Sequence, residues 1–287
     1  MKLGLICDGI SRDLSHAVSV MDEFDLKYAE LQFVGDREVG DHSTQEIKDI
    51  DNLLRDSGKP VSCLSRHIFN GMSGANVPGD ELHTKNMDAL KRVIDMAHVV
   101  DSPLVRIMTP KKEQILWGRN GAEKWNVAHG AWEKMLPLIA PACEVARDAG
   151  VTLVVETGNG TMVNSNYTAR KLIDDLDVKD VLKVLWDPGN NCWCHERAFP
   201  AGSEEVKDGY LGHVHIKDVQ VDTPRATLEV RRMGEGQLAD QFQPIADAMR
   251  ADSYTGVISF ESVYHPGNGN FEDGFRQSIG LFKSIFE

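Results

Sequence analysis

Residues 151–160 read VTLVVETGNG, a nearly unbroken apolar run that ends in a carboxylate, Glu156, and passes into a glycine-rich loop. A strand without polar alternation is buried on both faces, as in a parallel sheet covered by helices. Three later stretches repeat the plan. KVLWDPGNN (183–191) runs into Asp187, YLGHVHIKD (210–218) carries His213 and His215, and GVISFESVYHP (256–266) runs into Glu261. Parallel strands of an α/β protein bring their C-terminal ends to one face, where the βα loops meet and chemistry is normally found.

Outward from this stretch the same alternation covers the chain. Strands are predicted at 2–8, 27–34, 60–65, 103–108, 151–156, 181–187, 211–216 and 256–261. Between them lie helical patterns: Leu14, Val18 and Met21; a helix opened by a Ser43-x-x-Glu46 capping box and running to Asp56; one from Asp80 with Met87, Leu90, Ile94 and Ala97 on one face. The next carries Ala128, Trp132, Met135, Ile139, Cys143 and Ala146, and Pro137 and Pro141 predict a kink or two helical pieces. Later patterns fall at 169–176, weakly at 204–207, at 238–249, and on Phe271, Phe275, Phe282 and Ile285. Residues 109–121, 188–200 and 217–236 read as long loops. Eight strand–helix units without a linker of changed composition fit a single (β/α)8 barrel domain over 1–287. An open dinucleotide-binding sheet would need G-x-G-x-x-G after the first strand, which Gly4 and Gly9 do not supply.

Composition narrows the partners. With 41% hydrophobic and 26% charged residues the chain is ordinary globular protein, and a net charge of −13 is the wrong sign for a nucleic-acid surface. No stretch is long enough to cross a membrane, and the apolar run at the N-terminus is too short for a signal peptide. Five cysteines, two of them in strand-like runs, point to reduced thiols and a cytoplasmic protein. Cys192, Cys194 and His195 lack the second cysteine pair of a structural metal site and read as loop residues.

A lone carboxylate at a strand end usually caps a helix or ties a loop. Two glutamates, an aspartate and a histidine at four consecutive strand ends instead form a mixed oxygen and nitrogen set that suits a divalent metal, Mn²⁺ favoured, with Mg²⁺, Co²⁺ or Zn²⁺ also fitting. His213 and His215 are two apart on a strand and share a face. His215 is nearer the C-terminal end, level with Glu156 and Glu261, so it is the predicted ligand and His213 lies a layer lower. Carboxylates so placed bind metal and also move protons, acting on a carbon acid whose carbonyl the metal polarises.

With LVVET, LWDPGN, HVHIKD, the GEGQ turn at 234–237 and ISFES in view, the chain resembles the xylose isomerase-like superfamily over its whole length. That group includes sugar phosphate isomerases and epimerases, ketose 3-epimerases, inosose dehydratases and apurinic endonucleases. The resemblance implies Glu156, Asp187, His215 and Glu261 as metal ligands, Glu156 and Glu261 as the acid/base pair, and Lys217 with a loop arginine, Arg231 or Arg232, on the substrate. Asn190 stands where many relatives carry histidine after Asp-x-x. It can hydrogen-bond a sugar hydroxyl but not relay protons, so that role passes to His67, His195 or His213, with Asn190 and His213 also counted on the substrate side. The endonuclease branch needs a richer ligand set and a basic groove, and neither is present.

The N-terminal third, with CDGIS (7–11), AELQFVGDREVGDH (29–42) and SRHIFNGM (65–72), resembles enzymes acting on oxidised glycosides more than ketose 3-epimerases. Three readings follow. The first is a sugar isomerase or epimerase on a small carbohydrate. The second is a lyase that cleaves 3-keto-glycosides, C-glycosides included, or dehydrates keto-sugars by β-elimination, with His67 as the acid for the expelled group; a homo-oligomer or a small partner subunit is compatible with it. The third is a carbohydrate-binding barrel without activity, which would have no need of paired acid/base carboxylates.

Overall fold

The computed structural model describes residues 1–112 and 130–287. Among the described residues eight strands form the barrel: β1 (Lys2–Ile6), β2 (Tyr28–Leu31), β3 (Val61–Ile68), β4 (Leu104–Ile107), β5 (Thr152–Glu156), β6 (Leu182–Trp186), β7 (Leu211–Ile216) and β8 (Val257–Phe260). All pair in parallel in chain order, and β1 closes the ring against β8 with Lys2 opposite Val257. The helices are α1 (Leu14–Glu23), α2 (Thr44–Asp56), α3 (Glu81–Val99), α4 (Ala131–Ala149), α5 (Asn166–Leu176), α6 (Phe242–Ala251) and α7 (Phe271–Phe286). Between β6 and β7 lie only short helical turns, including Pro188–Asn191 and Ser203–Glu205.

The strand pleat explains where the core sits. One side of each strand, including Ala29, Leu64, Val105, Val155, Trp186, Ile216 and Phe260, packs outward into the main core beneath the helices. The other side faces the barrel axis, where Cys63, Val154 and Leu185 form a separate small apolar cluster. Residues two further along the same strands are Ser65, Glu156 and Asp187, so the period of two stacks a polar layer on this apolar plug. Helix ends follow their caps: Asp13 accepts from the Ser15 amide, the Ser43–Glu46 box is reciprocal, and Asp80 accepts from the His83 amide.

Several expectations change in detail. Residues 7–9 leave the first strand for a 3₁₀ turn, and Phe33–Val34 pairs antiparallel with Arg37–Glu38 rather than extending β2. β3 runs on to Ile68, so His67 lies within it. Helix α4 is one uninterrupted helix through Pro137 and Pro141, because Met135, Leu138, Ile139, Ala142, Cys143 and Ala146 keep one buried face across both prolines. Ala128 and most of the 109–121 loop fall outside the described residues.

The 217–236 segment is no plain loop either: Asp218–Asp222 pairs antiparallel with Thr227–Arg231. The buried Asp218 carboxylate accepts from four backbone amides, those of Val219 (2.9 Å), Gly234 (2.9 Å), Gly236 (2.8 Å) and Leu238 (3.2 Å). This explains the GEGQ turn. A methyl group on Gly236 would sit 2.2 Å from Asp218 Oδ1. Gly236→Ala is therefore expected to cost about 2 kcal/mol or more through overpacking and lost hydrogen bonds. Urea unfolding checks it, and a change under ~0.5 kcal/mol would contradict the contact.

Candidate metal centre and its pocket

At the C-terminal end of the barrel a pocket of about 250 Å³ is lined by Gln32, His67, Arg106, Asn190, Lys217 and Glu261, with Glu156 and the 158–161 loop among its other walls. It is somewhat smaller than the ~300–1,000 Å³ of most small-molecule sites. A depression of about 420 Å³ at the opposite end, between Asp51, Arg55, Lys59 and Asp101, gathers none of the strand-end ligands.

Donor atoms of Glu156, Asp187 and His215 all lie within 4.8 Å of one another. Each comes from the axis-facing side of β5, β6 or β7 or the residue just beyond it. Glu156 Oε2 accepts from Arg106 Nη1 at 2.8 Å and Oε1 accepts from Asn190 Nδ2 at 3.2 Å. Burial alone would raise the Glu156 pKa, but the Arg106 charge, then His215 and Lys217, carry it below the usual carboxylate range. Asp187 Oδ1 accepts from the Asn190 amide at 3.1 Å, and Oδ2 faces the Lys217 ammonium at 2.5 Å. Burial, with the nearby charges of Glu261 and Glu156, pushes Asp187 up to about 6 despite that ammonium. Glu261 Oε2 lies 2.5 Å from the same nitrogen.

Beneath these ligands stands a residue the sequence reading missed. Glu30, from β2, is fully buried, and its two oxygens meet His215 Nε2 at 2.8 Å and His213 Nε2 at 2.7 Å. Ser65 also donates to Glu30 Oε1, and His213 Nε2 lies 3.2 Å from Ser259 Oγ. Burial opposes ionisation of Glu30, yet the two imidazoles hold its pKa well below the ordinary value. Burial likewise opposes a charged His215, but Glu30 and then Glu156 push its pKa up to about 10. With Nε2 held on Glu30, His215 Nδ1 is buried and without a hydrogen-bond partner, 3.6 Å from Glu156 Oε1. An unpartnered ring nitrogen aimed at two carboxylates, its far side fixed by a third, is the arrangement of a metal-ligating histidine. The donor set thus fits a divalent cation.

The opposite wall holds His67. Its Nδ1 lies 2.9 Å from Glu38 Oε1, its amide donates to the same oxygen at 3.0 Å, and its Nε2 is 3.4 Å from Gln32 Nε2. Burial would raise the Glu38 pKa, but these His67 hydrogen bonds and the Arg66 charge lower it.

Several candidates are not brought to the pocket. His213 is wholly buried on Glu30 below the ligand layer, out of reach of a substrate. Arg232 points outward, its Nε donating to the Gln277 carbonyl of α7 at 3.2 Å and its Nη1 lying 3.3 Å from Glu235. Arg231 pairs with Glu229 on the hairpin, and it shares with His195 a separate cleft of about 580 Å³, where His195 Nε2 lies 3.1 Å from Thr223 Oγ1. The Cys192 and Cys194 thiols donate to backbone carbonyls of Pro188, Asn164 and Asn191. Besides Glu30, the missed residues are Arg106, Ser65 and Glu38. The readable signal was a charge inside an apolar barrel strand, Glu30 in YAEL and Arg106 in LVRI, which in so buried an element must face the axis and a partner.

No curated protein matches the chain. Among solved structures it is similar to an apo 3-keto-D-glucoside 4-epimerase from E. coli, at 17% identity and TM-score 0.72, covering 99% of both chains. It is similar to a D-psicose 3-epimerase with D-tagatose from Clostridium cellulolyticum H10, at 14% identity and TM-score 0.72, covering 100% of both. A third is the IOLI protein with a bound zinc atom, at 14% identity and TM-score 0.74, covering 100% of this chain and 98% of that one. At these identities the likeness is one of fold. A family model described as xylose isomerase-like TIM barrel matches residues 18–285, which is nearly the whole chain. With a closed eight-stranded parallel barrel beneath that match, the chain belongs to the xylose isomerase-like TIM barrel family.

Proposed function

We propose that the protein, acting as a single barrel domain, is a divalent-metal-dependent isomerase or epimerase of a small carbohydrate. The observation that carries this reading is the convergence of Glu156, Asp187 and the unpartnered Nδ1 of His215 beside a pocket that also holds Glu261. Two of the similar structures are sugar epimerases and a third holds zinc, which supports the same reading. Glu156, Asp187, His215 and Glu261 would hold the ion, Mn²⁺ favoured and Mg²⁺, Co²⁺ or Zn²⁺ compatible with the same donors. When bound, the ion supplies Lewis acidity toward a sugar carbonyl, which acidifies the neighbouring C–H. Glu261 and Glu156 take and return that proton, Arg106 keeps Glu156 ionised, and the carboxamides of Gln32, Asn159 and Asn190 meet the sugar hydroxyls.

The Glu38–His67 pair favours a second reading, a lyase on a keto-glycoside or keto-sugar. There the carbanion expels a group at the β position, and His67, turned by Glu38, gives the departing oxygen its proton. Incubation of the Mn²⁺-treated protein in heavy water with a panel of keto-sugars and oxidised glycosides, read by mass spectrometry, tests both. Deuterium on a product carbon is the expected result; a released group with an unsaturated sugar selects the lyase. Neither outcome, with about one equivalent of metal bound, would leave the binding barrel.

A further inference from the structure

The Lys217 ammonium lies 2.5 Å from Asp187 Oδ2 and 2.5 Å from Glu261 Oε2, on a side chain 10% exposed. Asp187 Oδ1 accepts from the Asn190 amide, and Oδ2 is the oxygen that the ammonium holds. A divalent ion held by both Asp187 and Glu261 would occupy the gap that the ammonium spans. Two cations cannot share it.

The surroundings let the side chain move while the backbone stays. Asp218, the next residue, is pinned by four backbone amides. The Lys217 stem passes over Gly189, where a methyl group would come within 2.9 Å of its Cγ, so glycine there leaves it a track. Its head lines the pocket of about 250 Å³ into which it can swing.

We infer that the Lys217 ammonium and the divalent ion exchange places: entry of the ion drives Lys217 out of the Asp187–Glu261 gap and into the substrate pocket. The inference rests on the metal reading above. It makes Lys217 a built-in competitor that holds the carboxylates together, limits metal affinity, and presents its charge to substrate only when the ion is in place.

The test uses Mn²⁺ alone. In titration calorimetry Lys217→Met is expected to bind Mn²⁺ at least about tenfold more tightly than the natural protein, because the buried Asp187 and the partly exposed Glu261 have lost their competing partner. On the natural protein, amine acylation followed by peptide mass spectrometry is expected to modify Lys217 at least about fivefold faster with saturating Mn²⁺ than without it, as the head moves from a paired, buried place to an accessible one. The labelling needs no variant and decides if Lys217→Met fails to fold. Mn²⁺ binding that leaves Lys217 equally protected overturns the exchange and leaves the metal site standing. No Mn²⁺ binding by either protein overturns both.

Discussion

On the proposed mechanism Glu261→Gln is expected to lower turnover by ~10²–10⁴-fold, the usual cost of losing a group that moves a proton in the transition state. Glu156→Gln is expected to fall as far, but by a different division of effects. Glu156 belongs to the set whose donor atoms crowd within 4.8 Å, whereas Glu261 is tied in through the Lys217 ammonium. Replacing an anionic ligand by a neutral amide weakens the hold on a cation. Metal content should therefore drop more in Glu156→Gln than in Glu261→Gln, while both lose activity. The measurement is turnover on whichever sugar takes up solvent deuterium, paired with elemental analysis of each variant. A Glu261→Gln enzyme that keeps more than about a third of its rate would remove Glu261 from the proton path.

Arg106→Met is the largest expected loss of stability, ~3–5 kcal/mol, because it leaves a buried carboxylate without its partner. The Arg106 and Glu156 side chains are only 4% and 6% exposed and meet at 2.8 Å. Arg106 Nη2 also donates to the Ser65 carbonyl at 3.0 Å, so one guanidinium ties β3, β4 and β5 together. The pair itself need not stabilise the fold relative to apolar residues of similar volume. Arg106→Met combined with Glu156→Gln should accordingly recover part of the loss, since no charge is then stranded. Urea unfolding of the two singles and the double measures this coupling, and strict additivity would show that the two side chains act independently.

Much of the barrel could be read from the chain because its signal is local. VTLVVE, VLKVLW and GVISFE are apolar runs of strand length, and Ser43 with Glu46 or Asp80 marks a helix start within a few residues. Glu156, Asp187 and Glu261 were legible for the same reason, each being the carboxylate that follows such a run, whereas His215 lies inside its strand beside His213. The clamps were not, because their partners are remote. Glu30 and His215 are separated by 185 positions, and nothing within YAEL tells which imidazole its carboxylate meets. The proline-bearing α4 shows the limit from the other side. Local rules predict a kink or two helical pieces at Pro137 and Pro141, but the buried face of that helix continues past both and it remains one piece. The loop arginines came from the resemblance alone, and the hairpin, a pairing across several residues, sets the direction of Arg231.

The buried network also has a lopsided origin in the chain. The carboxylates and imidazole of the centre arise from β5, β6, β7 and the end of β8, whereas Glu30, Ser65 and Arg106 come from β2, β3 and β4. A chain emerging from the ribosome therefore makes the supports first and the charges that need them last. Until the ring closes between β1 and β8, the later half carries acidic groups that gain nothing from being dehydrated, and water competes for them. Separated halves of this barrel should thus differ in kind: the earlier one short of a partner for a single arginine and a single glutamate, the later one with Glu156 lacking its arginine while Lys217 still bridges Asp187 and Glu261. Ring closure and charge compensation become one cooperative event.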